Sequence, residues 1–471
     1  MAAMDGRVAA IVLAAGAGSR FGGGKLLATV DGRPLLQHTL DRLADARIDD
    51  VIVVLGGDAA AIEAAIAWRT ERRVVNPEPE RGLASSLAAG RAAVGEGTDA
   101  VLIALGDQPT LRADVIRSLV DAPTDPDRPV VVPAYAEDRG RNPVLVRSGG
   151  FELLDEASGD RGLGPILAAH PKRVQEVPVA GSNPDVDTPA DLVGVLETAW
   201  AARVRANREQ VDRLREVPDG ADFYAPVSGL FRADPARTDE PALDALLALV
   251  RPGETWLDIG AGAGRYALPV AAALAPSGGS VVAIDPSTGM LDALREDAAA
   301  SAIANIRVVE GRWPPEATTP FAADVALMAH VGYDIEAIGP FVRAMEAVTQ
   351  RLAIAVLMER QPASVADACW PPVHGESRVA LPALPEFVEL LRAMGRDPEV
   401  ERLAREPRRF ETRAQLEGFL RRQLWVEPGS EKDGRFQAAL GEQIVEDETG
   451  VGLASQRPMP IGIVTWSPGE R

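Results

Sequence analysis

Cysteine is almost missing from this chain of 471 residues, Cys369 being the only one. An intrachain disulfide is therefore excluded, and a thiolate zinc site nearly so, which suits a reducing compartment. No uninterrupted apolar run approaches the roughly 20 residues that a membrane-spanning helix needs. The opening "MAAMDGRVAA" lacks the charged, apolar and cleavage segments of a secretory leader, so a cytoplasmic protein without a membrane partner is expected. Positive charge is in deficit: 49 Lys and Arg face 69 Asp and Glu, for a formal charge of -20. That balance argues against nucleic-acid binding by broad phosphate neutralisation. Small ligands are expected instead, with any phosphate received by a few placed cations, main-chain N–H groups and metal.

What is present is ordinary globular material, 46% hydrophobic and 25% charged. The length favours about two domains over one core. Apolar runs recur at "VAAIVLAAG", "DDVIVVLGG", "RRVVN", "DAVLIALGD", "PVVVPAY" and "NPVLVR", with Ala- and Leu-rich helical stretches between most of them. This alternation predicts an α/β, mainly parallel, doubly wound sheet. A charged helical pattern, "ETAWAARVRANREQVDRLREV", and a loop-like stretch follow. A second series then begins: "TWLDIGAGAGRY", "SVVAIDPS", "NIRVVEGRW", "ADVALMAHV" and "RLAIAVLME". The expected organisation is a first domain over 1–200, a helical linker over 201–225 and a second Rossmann-like domain over 226–471. "PIGIVTWSP" reads as a last, antiparallel strand.

The first functional signal is "LAAGAGSRFGGGK". A Walker A loop counted back from Lys25 would need glycine at Ser19 and a hydroxyl at Leu26. A dinucleotide fingerprint begun at Gly16 and Gly18 would need its third glycine at Phe21. The glycines instead predict a loop whose backbone approaches a ligand closely and turns N–H groups toward phosphate oxygens, with Arg20 and Lys25 adding charge. Asp107 in "ALGDQP" ends an apolar strand, where a carboxylate is well placed to hold a divalent cation. "PDVDTPADL" supplies Asp185 and Asp187, which either hold a metal or cap the following helix.

Taken in order with "VVNPEPERGLASSLAAG", "RNPVLV" and "SGDRGLGPIL", these segments resemble the MobA-like nucleotidyltransferases, most closely the molybdenum cofactor cytidylyltransferases, over residues 7 to 197. The resemblance implies that Gly16, Gly18, Ser19, Arg20 and Lys25 hold a nucleoside triphosphate. Leu13, Ala14 and Ala15 would line the base, with Asn76, Gly82, Ser85 and Ser86 completing its pocket. Asp107 and Asp187 would bind magnesium, and Arg20, Lys25, Asp107 and Asp187 would form the catalytic set. It further implies CTP as nucleotide, molybdopterin as acceptor, and a molybdoenzyme or its maturation factor as macromolecular partner. One departure leaves the acceptor open: Arg141, Asn142 and Pro143 stand where many cytidylyl relatives carry Gly-His-Pro. A sugar phosphate is the alternative.

The second signal, "TWLDIGAGAGRY", puts Gly260, Gly262 and Gly264 after a strand, and Arg265 where a dinucleotide site would want its last glycine. Asp285 ends the next strand at the distance of a ribose-binding acid. The pair resembles a class I S-adenosylmethionine-dependent methyltransferase. That resemblance implies Gly260 to Gly264 under the methionine and ribose, Asp258 near the amino group, Asp285 on the ribose, and Glu310 or Trp313 at the adenine. His330 is a candidate base, although a packing role is the commoner one for such a histidine. The alternative for this half is a module that binds the cofactor without transferring methyl. Cys369, beside His374, reads as an inert core thiol. "RLAREPRRFETR" and "FLRRQLW" read as helical faces that could seat an acidic substrate.

Overall fold

The computed structural model describes residues 6–160, 162–218, 229, 231–238, 240–315, 321–441 and 443–469. Two compact units emerge, Met1–Val195 and Leu196–Arg471. The first is built on seven strands: β1 (Val8–Ala14), β2 (Asp50–Leu55), β3 (Arg72–Val75), β4 (Ala100–Leu105), β5 (Val130–Tyr135), β6 (Val144–Arg147) and β7 (Val174–Val179), in the order β3-β2-β1-β4-β6-β5-β7. Only β6 runs antiparallel to its neighbours. Side chains of β1 alternate between two cores: Ala10, Val12 and Ala14 pack with Leu36, Leu40, Ile116 and Leu119, whereas Ile11 and Leu13, with Ala15 just past the strand, pack with Leu87 and Leu153. A strand covered on both faces must be apolar throughout, which explains its unbroken run. β7 did not stand out in the sequence because Gln175, Glu176 and Pro178 interrupt its valines, as suits an edge strand.

The second unit has β8 (Thr255–Ile259), β9 (Ser280–Asp285), β10 (Ile306–Glu310), β11 (Ala323–Ala329), β12 (Thr349–Met358), β13 (Glu399–Leu403) and β14 (Ile461–Trp466), ordered β10-β9-β8-β11-β12-β14-β13. The first five are parallel; β14 is antiparallel to both β12 and β13. Both units are therefore parallel-rich α/β sheets flanked by helices, as expected. Two local expectations need correction. Within "RLAREPRRFETR", Arg402 and Leu403 end strand β13 and residues 404–409 have no regular structure, the helix beginning only at Arg413. The stretch expected as a linker is, up to Leu214, one helix with residues 189–195, α1 (Pro189–Leu214). Its Trp200, Val204, Asn207 and Gln210 are buried in the second unit, where Asn207 Nδ2 and Gln210 Nε2 donate to the carbonyls of Val379 and Ser377. Residues 219–225 of the expected linker lie outside the described residues, as does Arg161 of "SGDRGLGPIL".

Candidate active sites

Parallel strands of a doubly wound sheet bring their carboxyl ends to one edge, and loops leaving that edge form the binding crevice. In the first unit the loop after β1 and the residue after β4 meet there. Lys25 Nζ lies 2.5 Å from Asp107 Oδ2 and 3.1 Å from Asp187 Oδ1, while Arg20 reaches Asp187 Oδ2 at 3.5 Å. All four expected catalytic residues thus converge. Burial pulls the Lys25 ammonium toward neutrality, but the charges and hydrogen bonds of Asp107 and Asp187 outweigh it and hold its pKa above the ordinary value.

Asp187 is free to do this because another residue caps the helix. Asp191 Oδ2 accepts from the main-chain N–H of Asp187 and of Thr188, and Thr188 Oγ1 accepts from Asp191 N, a reciprocal cap. The same loop is tied to β4 by Val186 N donating to Asp107 O at 3.1 Å and by Gln108 Nε2 donating to Asp185 Oδ1 at 2.7 Å. Gln108 and Asp185 hold the arrangement from behind; Gln108 was not among the expected site residues, and Asp185, one of the two acids expected to hold a metal or cap the helix, here accepts from Gln108. Burial first, and the charge of Asp107 second, push the Asp185 carboxyl up to about 6.

The glycine loop departs from expectation in one respect. Gly18, Gly22, Gly23 and Gly24 have φ of 57°, 94°, 97° and 63°, but the N–H groups of Phe21, Gly22 and Gly23 all donate to the Gly18 carbonyl. These amides must leave that oxygen before they can meet a phosphate. Gly16, Ser19 and Arg20 are exposed. Leu13, Ala14 and Ala15 are buried with their side chains in the two cores, so only their backbone is available to a base. Asn76 Nδ2 donates to the hydroxyls of Ser85 and Ser86 at 2.8 and 3.0 Å, and Gly82, at φ 94°, lies where a Cβ would strike Gly159 O at 2.7 Å. These four residues form one cluster at the start of the helix Leu83–Ala92. Among the described residues no group of three or more His, Cys, Asp and Glu is placed to hold a metal ion. Asp107 and Asp187 are a two-carboxylate set with one oxygen, Asp107 Oδ1, buried and lacking a hydrogen-bond partner. Two carboxylates completed by substrate phosphates suit magnesium.

In the second unit Gly260, Gly262 and Gly264 have φ of 74°, 53° and 82°, and a Cβ at Gly260 would lie 2.4 Å from Val331 Cγ2. Asp285 holds this turn: its Oδ2 accepts from Gly262 N at 2.9 Å and its Oδ1 from Ser287 N at 2.8 Å. Asp258 is buried, and its Oδ1 has no hydrogen-bond partner. Burial, then the nearby charge of Asp285, pushes its carboxyl up to about 7. A buried acid under an open glycine turn fits a ligand that brings a cation to it. Glu310 ends β10 exposed, within 3.2 Å of Thr288 Oγ1; Trp313 packs edge-on against Phe321 and donates to Phe341 O at 3.4 Å. His330 has φ 56°. Burial, with the charges of Arg405 and Arg265, lowers its pKa to about 4, so it is a poor base. Cys369 is fully buried and its thiol is pushed up by burial. His38, His170 and His374 bond to Val30 O, Glu156 and Leu424 O.

A glycine loop, a lysine and two carboxylates at the carboxyl edge of one sheet, with a carboxylate-held glycine turn on another, fit a nucleotidyltransferase-like domain followed by a methyltransferase-like one. Residues 10–174 match the MobA-like NTP transferase domain, and residues 257–351 match a methyltransferase domain. The chain belongs to the MobA-like NTP transferase family through its first half and carries a methyltransferase domain in its second. It is 30% identical over 201 residues to the nicotine blue oxidoreductase of Paenarthrobacter nicotinovorans, which covers 40% of this chain and 96% of that protein. It is 34% identical over 155 residues to the bifunctional protein GlmU of Sinorhizobium fredii, covering 32% of this chain. The chain spans only 34% of that protein's length. Among solved structures, Rv0371c from Mycobacterium tuberculosis H37Rv is 31% identical, covering 41% of this chain and 98% of that one, with a TM-score of 0.37. Among the described residues no helix is long and apolar enough to cross a membrane.

Proposed function

We propose that the first unit transfers CMP from CTP to a phosphorylated acceptor, molybdopterin, with release of pyrophosphate, and that the second unit transfers methyl from S-adenosylmethionine. The observation that carries the first part is Lys25 between Asp107 and Asp187. In the reaction an acceptor phosphate oxygen attacks the α-phosphorus in line, and the electron pair of the breaking bond leaves with pyrophosphate. Lys25 and Arg20 turn from the carboxylates to the triphosphate and offset the charge that builds on the leaving oxygens. Asp107 and Asp187, released from the ammonium, would hold Mg2+, which when bound supplies further charge neutralisation. Asn76, Ser85 and Ser86 present the polar edge that distinguishes one base from another. No side-chain nucleophile is required.

In the second unit Asp258 and Asp285 face the cationic ligand, and the Gly260–Gly264 turn lets its ribose lie against backbone. Methyl transfer from a sulfonium depends mainly on alignment, so a neutral His330 is compatible with it.

Pyrophosphate release over four nucleotides and a panel of acceptors tests the first part. CTP with molybdopterin should lead; turnover with a hexose 1-phosphate and none with molybdopterin overturns the acceptor. A second reading comes from the similarity to nicotine blue oxidoreductase along nearly that protein's whole length: the first unit carries out an oxidation–reduction and transfers no nucleotidyl group. Absence of pyrophosphate with every nucleotide and acceptor, together with reduction of nicotine blue, would favour it.

A further inference from the structure

The mouth beside the second unit's glycine turn carries positive charge that nothing in the cofactor site uses. His330 follows the end of β11, next to Val331, whose Cγ2 presses on Gly260. Its ring lies 6.4 Å from that of Tyr266, and its Nδ1 is buried without a hydrogen-bond partner. Tyr266 OH donates to Glu240 Oε1 at 2.9 Å. Glu240 also pairs with Arg237 at 2.6 Å and Arg265 at 2.8 Å. From the far side comes the irregular segment after β13. Arg405 reaches Met358 Sδ at 3.5 Å, and Met358 N donates to Tyr333 OH. Arg408 lies over the rings of Phe410 and Phe419 at 5.1 and 5.4 Å. Neither Arg405 nor Arg408 has an ion pair with a carboxylate among the described residues. His330 N donates to Val356 O at 2.8 Å, two residues before the Met358 that Arg405 touches, and Arg265 lies 6.0 Å from the Tyr266 ring that neighbours His330, so these groups share one region. Glu240 is shared among Arg237, Arg265 and Tyr266.

A cluster of guanidinium groups with a cationic surplus, in a chain of net charge -20, is unfavourable until an anion enters it. Arg405 and Arg408 lie outside the segment matching the methyltransferase domain, 257–351, so the family likeness does not supply them. We propose that the methyl acceptor is a small molecule bearing a carboxylate or phosphate, received by Arg265, Arg405 and Arg408 above the ring of His330. The proposal rests on the second unit being a methyltransferase. An acceptor lone pair attacks the methyl carbon of the sulfonium, and the carbon–sulfur bond breaks with its electron pair returning to sulfur. A neutral thioether leaves, and any proton on the attacking atom passes to water. The acceptor's anionic group fixes which of its atoms faces the methyl carbon.

Calorimetry with S-adenosylmethionine on the full chain first tests the underlying reading: no binding sinks the methyltransferase and leaves the arginine cluster still to be judged by the next measurement. That measurement is the imidazole titration of His330 by NMR, in chloride and then with saturating inorganic phosphate or acetate. The groups acting on it are Arg265, Arg405 and Glu240, with Tyr266 beside its ring. An anion held by the arginines offsets their field, so the His330 pKa should rise while the lowering due to burial remains. The rise should vanish in Arg405→Gln/Arg408→Gln, a change that keeps the side-chain stems. Phosphate or acetate acting alone would say which anion the cluster takes. In parallel, radiolabelled methyl transfer to carboxylates and phosphate monoesters is compared with transfer to their amides and alcohols. Anionic members should be preferred at least tenfold. No movement of His330 with either anion, an equal movement in the double variant, or equal turnover of the neutral analogues overturns the proposal.

Discussion

Replacing Lys25 by Met removes the ammonium between Asp107 and Asp187 while keeping most of the side chain's bulk. The side chains of Lys25 and Asp107 are 12% and 17% exposed, that of Asp187 39%. The contacts thus fall between exposed ion pairs, worth about 0–1 kcal/mol, and buried pairs, whose breaking costs about 3–5 kcal/mol. With the Asp187 contact discounted for solvent, the first unit should lose about 1–3 kcal/mol. For a unit of this size that is a fall in melting temperature of roughly 3–10 °C. The loss should be pH-dependent. Because the folded-state pKa of Lys25 is raised, its contribution is complete below the ordinary value of 10.5 and disappears as pH climbs through the raised one. Parent and variant melting curves should therefore converge at strongly alkaline pH. Magnesium supplies a discriminating control: in the variant, millimolar Mg2+ without nucleotide should recover part of the lost stability by taking the place of the ammonium. Pyrophosphate release should fall on the order of 100-fold or more. A variant that melts with the parent at neutral pH and turns over within threefold of it would refute the role given to Lys25.

Asp285→Ala removes the acceptor of the Gly262 and Ser287 amides and should weaken S-adenosylmethionine binding at least tenfold by calorimetry; unchanged affinity would exclude Asp285 from that site. Asp258, raised to about 7, binds a proton in the folded chain that the unfolded chain has released. Stability of the second unit should therefore decline as pH rises from about 4 to about 7 and level off above. Asp258→Asn should flatten that slope in denaturant titrations, and a slope unchanged in the variant would exclude this group as its source. Gly56→Ala would put a Cβ 2.4 Å from Ala15 O, displacing the backbone that leads into the glycine loop. Nucleotide affinity should drop severalfold in equilibrium binding although Gly56 itself offers no side chain to the nucleotide.

The legibility of the sequence followed the range of the interactions involved. Sheet strands buried on both faces declared themselves as apolar runs, and the turns after β1 and β8 declared themselves because only glycine tolerates their φ values. Lys25, Asp107 and Asp187 could be named because a lysine closing a glycine loop, an acid after an apolar strand and an acid before a helix stand in the order the family resemblance implies. What their sequence positions did not reveal was the state of the loop: the Gly18 carbonyl gathers three amides that were expected to face phosphate. The helix Pro189–Leu214 was hard to apportion because it contains no proline after its first residue and no break where the units divide. The arginines at 405 and 408 were legible only as part of a basic stretch that could seat an acidic substrate, and there as a helical face, although the helix begins only at Arg413. They follow strand β13, whose short polar sequence gives little alternation to read, and they reach the neighbourhood of His330 only through antiparallel pairing with β14, some 60 residues further on.

The two units resemble one another in architecture yet arrange charge in opposite senses, as the proposed ligands would require. Arg20 and Lys25 of the first unit are held by Asp107 and Asp187, where a triphosphate would bring several negative charges. The second unit buries two acids beside its glycine turn and supports one of them, Asp285, with backbone amides, where a sulfonium bearing an ammonium would bring positive charge. Those amides keep Asp285 an acceptor, while Asp258, without such help, sits near neutrality until a cation draws its proton off. Binding of the cofactor should thus release a proton from Asp258 between about pH 5 and 7. Calorimetry in buffers of differing ionisation enthalpy reads that proton directly. Its absence throughout that range, with binding intact, would mean that the cofactor's ammonium lies elsewhere.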